Sequence, residues 1–250
     1  MTCSLLRSRY AFAITWMIAL LACFCLGVPS ARAAEVQPKS VFSIDAGRKF
    51  FSADQLFEII DHAADRGYTD IQLILGNDGL RFVLDDMTVS LEGGRSWTSD
   101  AVKAAIQAGN KSYYDDPNDN VLTQAEMDRV LARAIKRGLH VTPLINSPGH
   151  MDALLVAMKE LGIQNPAFSD RNKTSVRTVD LDNAEALSFT KALIQKYATY
   201  FGASGASEIF NFGAGGYAND VFRDPGWSAI QRNGKYSHFV RYANDLSGII

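Results

Sequence analysis

Strands and helices that alternate over short connections predict an α/β protein built on a parallel sheet. Three observations carry this reading. Apolar runs of strand length recur at Val41-Phe42-Ser43-Ile44, Asp70 to Leu75, His140 to Ile145 and Glu208 to Phe212. Between them lie segments with apolar residues at helical spacing, two of which close on Arg-Gly, at Arg66-Gly67 and Arg137-Gly138. Unusual polar residues follow each strand: Asp45 and Arg48, Asn77 and Asp78, Asn146 and His150, and Asn211 with its glycines. Barrels and open doubly wound sheets both bind ligands beyond the C-terminal ends of their strands. The polar rim therefore marks a functional edge without choosing between the two folds.

In chain order, the sequence opens on a targeting segment. Arg7 and Arg9 precede an apolar run from Tyr10 to Val28, and Ala31-Arg32-Ala33 offers a small-x-small cleavage site before Ala34. Residues 1–33 are expected to be a signal peptide for export to the periplasm, the cell surface or the medium. A retained membrane anchor is the alternative, because the run is nearly long enough to span. Leu20-Leu21-Ala22-Cys23 loosely resembles a lipoprotein box, but Phe24 to Val28 stay apolar after the cysteine. Cleavage would remove Cys3, Cys23 and Cys25, all three cysteines, so the mature chain has no disulfide. It would also remove three of the 25 basic residues and none of the 27 acidic ones, taking the formal charge from −2 to −5. That balance gives no footprint for nucleic acid or an anionic membrane surface.

After a linker at 34–40, the first strand leads to Ser52, which caps a helix with Gln55 closing the box and Phe51 and Leu56 flanking it. Leu56, Ile59, Ile60, Ala63 and Ala64 share one face, and Gly67 ends the helix. The second strand, Asp70 to Leu75, ends in Gly76-Asn77-Asp78-Gly79. A long excursion follows: Arg81 to Ser90 as part of a hairpin turning at Gly93-Gly94, a short helix from Ala101 to Ala108, and a polar loop from Asp115 to Asn120. Insertions of this length are usually functional. Thr123 and Glu126 box the next helix, and His140 to Ile145 then runs into Asn146-Ser147-Pro148-Gly149-His150. Asp182 with Glu185 is expected to cap a fourth helix reaching about Phe201. Ile209, Phe210 and Phe212 read as a short buried strand ended by Gly213, and a last helix starts at Tyr236.

Four ordered motifs are specific. Ser43-Ile44-Asp45-Ala46-Gly47-Arg48, Gly76-Asn77-Asp78-Gly79-Leu80-Arg81, Asn146-Ser147-Pro148-Gly149-His150-Met151-Asp152, and Asn211-Phe212-Gly213 before Tyr217-Ala218-Asn219-Asp220 resemble glycoside hydrolase family 20. These are the β-N-acetylhexosaminidases, and the resemblance is nearest to the bacterial surface exo-hexosaminidase type. It implies a (β/α)₈ barrel of which residues 41–250 supply the N-terminal half, about four βα units. It implies substrate-assisted hydrolysis of terminal N-acetylhexosamine in glycans, with no cofactor. In that chemistry the sugar's own acetamido oxygen attacks the anomeric carbon, an Asp polarises the acetamido group, and the adjacent Glu protonates the leaving oxygen.

The resemblance places that acid pair at Gly215 and Gly216. Glycine neither donates a proton nor orients an amide, and a positioned general acid is worth about 10² to 10⁴ in rate. Hydrolysis is therefore expected to be impaired or absent. Glu208 sits at the far end of its strand, roughly 25 Å away at about 3.3 Å per residue, and Asp220 lies beyond Tyr217, so neither is an obvious substitute. The remaining family positions are implied to be intact: Arg48 clamping sugar hydroxyls, Asp78 and His150 forming the pair behind the general acid, and Asp45, Asn146 and Tyr217 on the substrate side.

Competing readings follow from the same residues. Gly213, Gly215 and Ala218 fit a loose G-x-G-x-x-A dinucleotide fingerprint, but Asn219 to Gly226 is not an amphipathic helix, and Tyr236 and His238 stand where an acidic residue is wanted. A non-catalytic N-acetylhexosamine-binding protein would keep Arg48, Asp78 and His150. A nonfunctional fragment would expose an apolar barrel interior. His62, His140, His150 and His238 show no metal-ligand spacing, so no metal is expected. Trp97 and Trp227 are candidates for a sugar platform but read more naturally as structural.

Overall fold

A computed structural model describes residues 38–113, 120–170, 172–207, 209–221, 231 and 234–249. The targeting segment, Glu208, Trp227 and most of the Asp115–Asn120 loop lie outside them. The chain runs β1 (Val41–Asp45), α1 (Ala53–Asp65), β2 (Asp70–Asn77), β3 (Gly79–Leu80), β4 (Val89–Ser90), β5 (Ser96–Trp97), α2 (Ser99–Tyr113) and α3 (Gln124–Lys136). It continues as β6 (His140–Ser147), α4 (Asp152–Glu160), β7 (Ala167–Asp170), β8 (Lys173–Val179), α5 (Ala184–Ala203), β9 (Asn211–Gly213) and α6 (Tyr236–Ser247).

Sheet order resolves the alternative that the sequence left open. The strands lie β1-β2-β6-β9, parallel throughout, with β3 pairing antiparallel to β2. Each new parallel strand adds to the same edge. A doubly wound sheet reverses direction; successive right-handed crossovers onto one edge instead place every helix on the same face, which is the winding of a (β/α)₈ barrel. The fold is of that type.

Local chemistry explains the elements. Ser52 and Thr123 form the expected capping boxes with Gln55 and Glu126, satisfying otherwise orphaned amides at the starts of α1 and α3. The apolar faces of these helices, Leu56 and Ile60 on one and Met127, Val130 and Leu131 on the other, bury against Leu73, Leu75 and Val141 of the sheet. Each such side chain contributes about 1.5–3 kcal/mol of burial. Tyr197 of α5 donates to the Phe82 carbonyl at 2.6 Å and ties the excursion after β2 to the helix layer.

Several expectations need correction. The cap of α5 is Asn183, whose side chain accepts from the Ala186 amide, whereas Asp182 ion-pairs with Lys235 and His238. The excursion's helix spans Ser99–Tyr113, and the β7–β8 hairpin was not anticipated. Ile209 is 54% exposed rather than in a buried strand, and β9 keeps only three residues as an edge strand held from one side by β6. The sheet face away from the helices is not a plain apolar patch either. Ser43, Gln72 and Thr142 are in register across it, all at least partly exposed, and the Ser43 hydroxyl donates to Gln72 Oε1 at 3.1 Å.

Candidate active site

Strand register brings Asp45, Asn77 and Asn146 to one rim, where they form a chain. Asn146 Nδ2 donates to Asn77 Oδ1 at 3.0 Å, and Asn77 Nδ2 donates to Asp45 Oδ2 at 2.6 Å. Asp45 Oδ1 accepts from the Gly47 and Arg48 amides at 3.2 and 3.0 Å, closing the turn that aims Arg48 over the sheet end. Asn146 Oδ1 lies against Gly213, so close that a Cβ there would overlap it. Asp45 and Asn146 are thus engaged in holding the rim together.

Asp78 is the centre of the site. Its backbone donates to the His150 carbonyl and accepts from the Ala153 amide, both at 2.8 Å, which stitches the end of β2 to the turn after β6. Asp78 and His150 both take positive φ, +63° and +56°, a region that Asp, Asn and His enter more readily than most residues. The buried Asp78 carboxylate accepts from Arg48 Nε at 2.8 Å through Oδ2 and from His150 Nδ1 at 2.9 Å through Oδ1. A carboxylate only accepts, so Nδ1 carries the proton and Nε2 is the ring nitrogen left for other work. Burial pushes the Asp78 pKa up, but the hydrogen bonds from Arg48 and His150 outweigh it and hold the group below the usual carboxylate range. The hydrogen bond that Arg48 donates to Asp78 in turn raises the pKa of Arg48. The Arg48 side chain remains 45% exposed, so part of the guanidinium faces outward from the rim.

The double glycine lies beside this cluster. A Cβ on Gly216 would fall 2.5 Å from His150 Cδ2 and Nε2, and Gly216 has φ +69°. The nearest atom to a Cβ on Gly215 is the Gly213 carbonyl oxygen at 3.9 Å. Across the contact, a Cβ on Gly149 would sit 2.4 Å from the Gly215 oxygen. Two backbone turns are therefore in direct apposition, with the imidazole of His150 covered by Gly216.

Asp220, the next acidic residue along the chain, is engaged elsewhere. Asp220 accepts from Ser175 Oγ at 2.9 and 3.0 Å and from the Val176 amide at 2.8 Å, which commits both its oxygens to β8. Tyr217, expected on the substrate side, is 3% exposed and packs against Phe168 with ring centroids 5.5 Å apart. The Ala218 amide donates to Thr178 Oγ1 at 2.8 Å and draws the turn down over β8, which carries Tyr217 beneath the rim. Trp97 donates from Nε1 to the Leu161 carbonyl at 2.8 Å and packs edge-on to Phe189, a structural role.

Sequence reasoning passed over Asn77 as the link between Asp45 and Asn146, although it stands in the Gly76-Asn77-Asp78-Gly79 turn. It also passed over Asp152 and Tyr113, which both interact with Asp78. Burial and the Asp78 charge raise both of their pKa values, Asp152 to about 6. Asp152 closes a quoted motif; nothing in the sequence marks Tyr113, whose contact is purely tertiary.

Successive βα units with an Arg–Asp–His constellation on the C-terminal rim define a barrel-type domain with a polar site at its strand ends. The model for the glycosyl hydrolase family 20 catalytic domain matches residues 41–234, and the chain belongs to that family. It is 50% identical to the pneumococcal virulence factor StrH, described as an exo-β-D-N-acetylglucosaminidase with tandem family 20 modules; the match covers 84% of this chain and 50% of that one, with a TM-score of 0.80. It is 30% identical over 138 residues to a lacto-N-biosidase of Bifidobacterium bifidum, covering 46% of this chain and 11% of that protein. A β-N-acetylhexosaminidase from Bacteroides fragilis shares the fold at 16% identity and a TM-score of 0.58, over 84% of this chain and 39% of that one. The chain thus spans half or less of the length of these relatives.

Proposed function

We propose that this domain recognises a terminal N-acetylhexosamine of a glycan at the Arg48–Asp78–His150 rim and hydrolyses it poorly or not at all. The observation that carries this is the position of Gly216 against the His150 imidazole, beside an otherwise complete cluster. In the family chemistry this ring stands behind the general acid; here backbone occupies that place. Arg48 supplies guanidinium donors for sugar hydroxyls, and Asp78 fixes the direction in which they point. Without a proton donor or an acetamido polariser, the rate falls by at least the 10² to 10⁴ that a general acid supplies. The leading segment supports an exported protein, and the relatives' substrates support a glycan partner.

The test is paired. Calorimetric titration with N-acetylglucosamine should show binding, while release of a chromogenic group from an N-acetyl-β-glucosaminide should stay at least a hundredfold below that of a family member with both acids. Substantial turnover by the unmodified chain would overturn the assignment of the gap. Gly215→Asp with Gly216→Glu separates the two versions of the reading: recovered turnover marks an impaired hydrolase, whereas binding without recovery marks a carbohydrate-binding protein.

A further inference from the structure

Asp152 is the first residue of α4, two positions after His150. Its side chain is 14% exposed, its Oδ2 is buried with no hydrogen-bond partner, and its Oδ1 approaches Arg177 Nη2 only to 3.8 Å. Arg177 Nε is likewise buried without a partner, so the ion pair is loose on both sides. Asp152 also lines a cavity of about 300 Å³ with Ser112, Tyr113, Lys159 and Ser175. A buried carboxylate oxygen without a donor costs far more as an anion than as an acid. A second carboxylate next to Asp78 would add repulsion where Arg48 and His150 already share one negative charge.

We propose that Asp152 is a positioning residue for the candidate active site that acts through its protonation state: as the neutral acid it leaves Asp78 as the single buried anion between Arg48 and His150, and as the anion it does not. The charged and titratable groups around it come from every packed element: Asp78 after β2 with Arg48 beyond it, Tyr113 on α2, His150 before α4, Lys159 on α4 and Arg177 on β8. Arg177 and the amides at the start of α4 favour the anion. Burial, then the charge of Asp78, favour the acid and prevail, bringing the group to about 6. Above that pH, Asp152 ionises and competes with Asp78 for the field of Arg48 and His150, loosening the orientation of the guanidinium. The role rests on the rim being the sugar site, but the titration itself does not.

The first measurement is therefore made without sugar. In the full chain, carboxyl-detected NMR should give Asp152 a midpoint near 6, and the Arg48 Nε–H resonance, donated to Asp78, should shift with the same midpoint. In Asp152→Asn that inflection should vanish. An Asp152 midpoint near 4, a flat Arg48 signal between pH 5 and 7, or an inflection kept in Asp152→Asn would each overturn the proposal. Unfolding gives a second arm. A raised folded pKa stabilises below the unfolded value and the gain is lost as pH rises through the folded one, so the wild-type folding constant should fall on the order of a hundredfold relative to Asp152→Asn between pH 4 and 7; parallel profiles would overturn it. Should the variant not fold, the wild-type NMR titration decides alone. Affinity for N-acetylglucosamine should then fall severalfold from pH 5 to 7.5 in the wild type and stay level in Asp152→Asn. Absence of sugar binding at every pH counts against the proposed function and leaves the NMR result to judge Asp152.

Discussion

Around Asp78 the rim is held by side chains gripping one another, while from Gly213 to Tyr217 it is held by backbone lying against backbone. The first region contains Arg48, His150, Asn77, Asp45 and Asn146, linked by bonds of 2.6 to 3.0 Å. The second has positive φ at Gly213, Ala214, Gly216 and Ala218 and touches the first through Gly149 and His150. One region carries charged groups and hydrogen-bond donors; the other, over Gly213 to Gly216, carries no side chain larger than a methyl. In the function proposed above, recognition and bond cleavage would sit on different strand ends. The loss of one need not disturb the geometry of the other.

The largest expected effect tests the first region. Asp78→Ala removes two charge-assisted hydrogen bonds, worth about 1.5–3 kcal/mol each, and puts Ala at φ +63°. Arg48 is nearly half exposed and regains water, which discounts its share. Urea unfolding should show a loss of about 3 kcal/mol at pH 7, and Asp78→Asn, which tolerates that conformation and keeps an acceptor, a smaller one. Because the folded pKa of Asp78 is depressed, its contribution is present above the unfolded value near 4 and lost as pH falls through the folded one. The gap between wild type and variant should therefore close on acidification. A gap independent of pH would mean that Asp78 acts by shape alone.

The next contrast lies between the two glycines. Gly216→Ala must adopt φ +69° and displace a ring that Asp78 holds, which should cost about 2 kcal/mol. Gly215→Ala meets only the Gly213 carbonyl oxygen, at an ordinary contact distance of 3.9 Å, and should change stability by less than about 0.5 kcal/mol. Equal effects would break the account of the turn as a backbone clasp. The same asymmetry predicts that an acidic residue enters more readily at 215 than at 216, where the turn must refold first. Ser175→Ala then probes the anchor of the turn: Ser175 Oγ bonds Asp220 and accepts from the Arg177 and Thr178 amides. A loss of about 1–2 kcal/mol is expected, with faster amide exchange across residues 213–218 as the specific sign.

The parts of this molecule that were legible from sequence are those written in local chemistry. Both capping boxes, the Arg-Gly helix ends and the polar residues after each strand can be read from neighbours a few positions apart. The parts that were not legible depend on distant chain. Asn183 rather than Asp182 caps α5 because its amide also reaches the Gln164 and Asn165 carbonyls, while Asp182 is drawn to Lys235. In β8 the two valines, Val176 and Val179, stand three positions apart and break any period-two pattern, and its partner β7, which directly follows Pro166, gives little signal either. The rim residues were legible through motif resemblance, yet which of them face a ligand was not: Tyr217 and Phe210 carry the same aromatic signal whether they line a pocket or fill the space under a turn.

Tyr217 gives the smallest and most discriminating prediction. Its hydroxyl is buried and makes no hydrogen bond, and burial raises its pKa. A buried hydroxyl without a partner pays desolvation for no return, so Tyr217→Phe should leave stability unchanged or raise it by up to about 1 kcal/mol. The ring stays packed against Phe168, so the turn above it should keep its exchange protection. Were Tyr217 instead on the substrate side, the substitution would remove a sugar contact and weaken N-acetylglucosamine binding with no gain in stability. Thermal unfolding and calorimetric titration of this one variant therefore assign the tyrosine to the turn or to the rim, and with it the line along which the two regions meet.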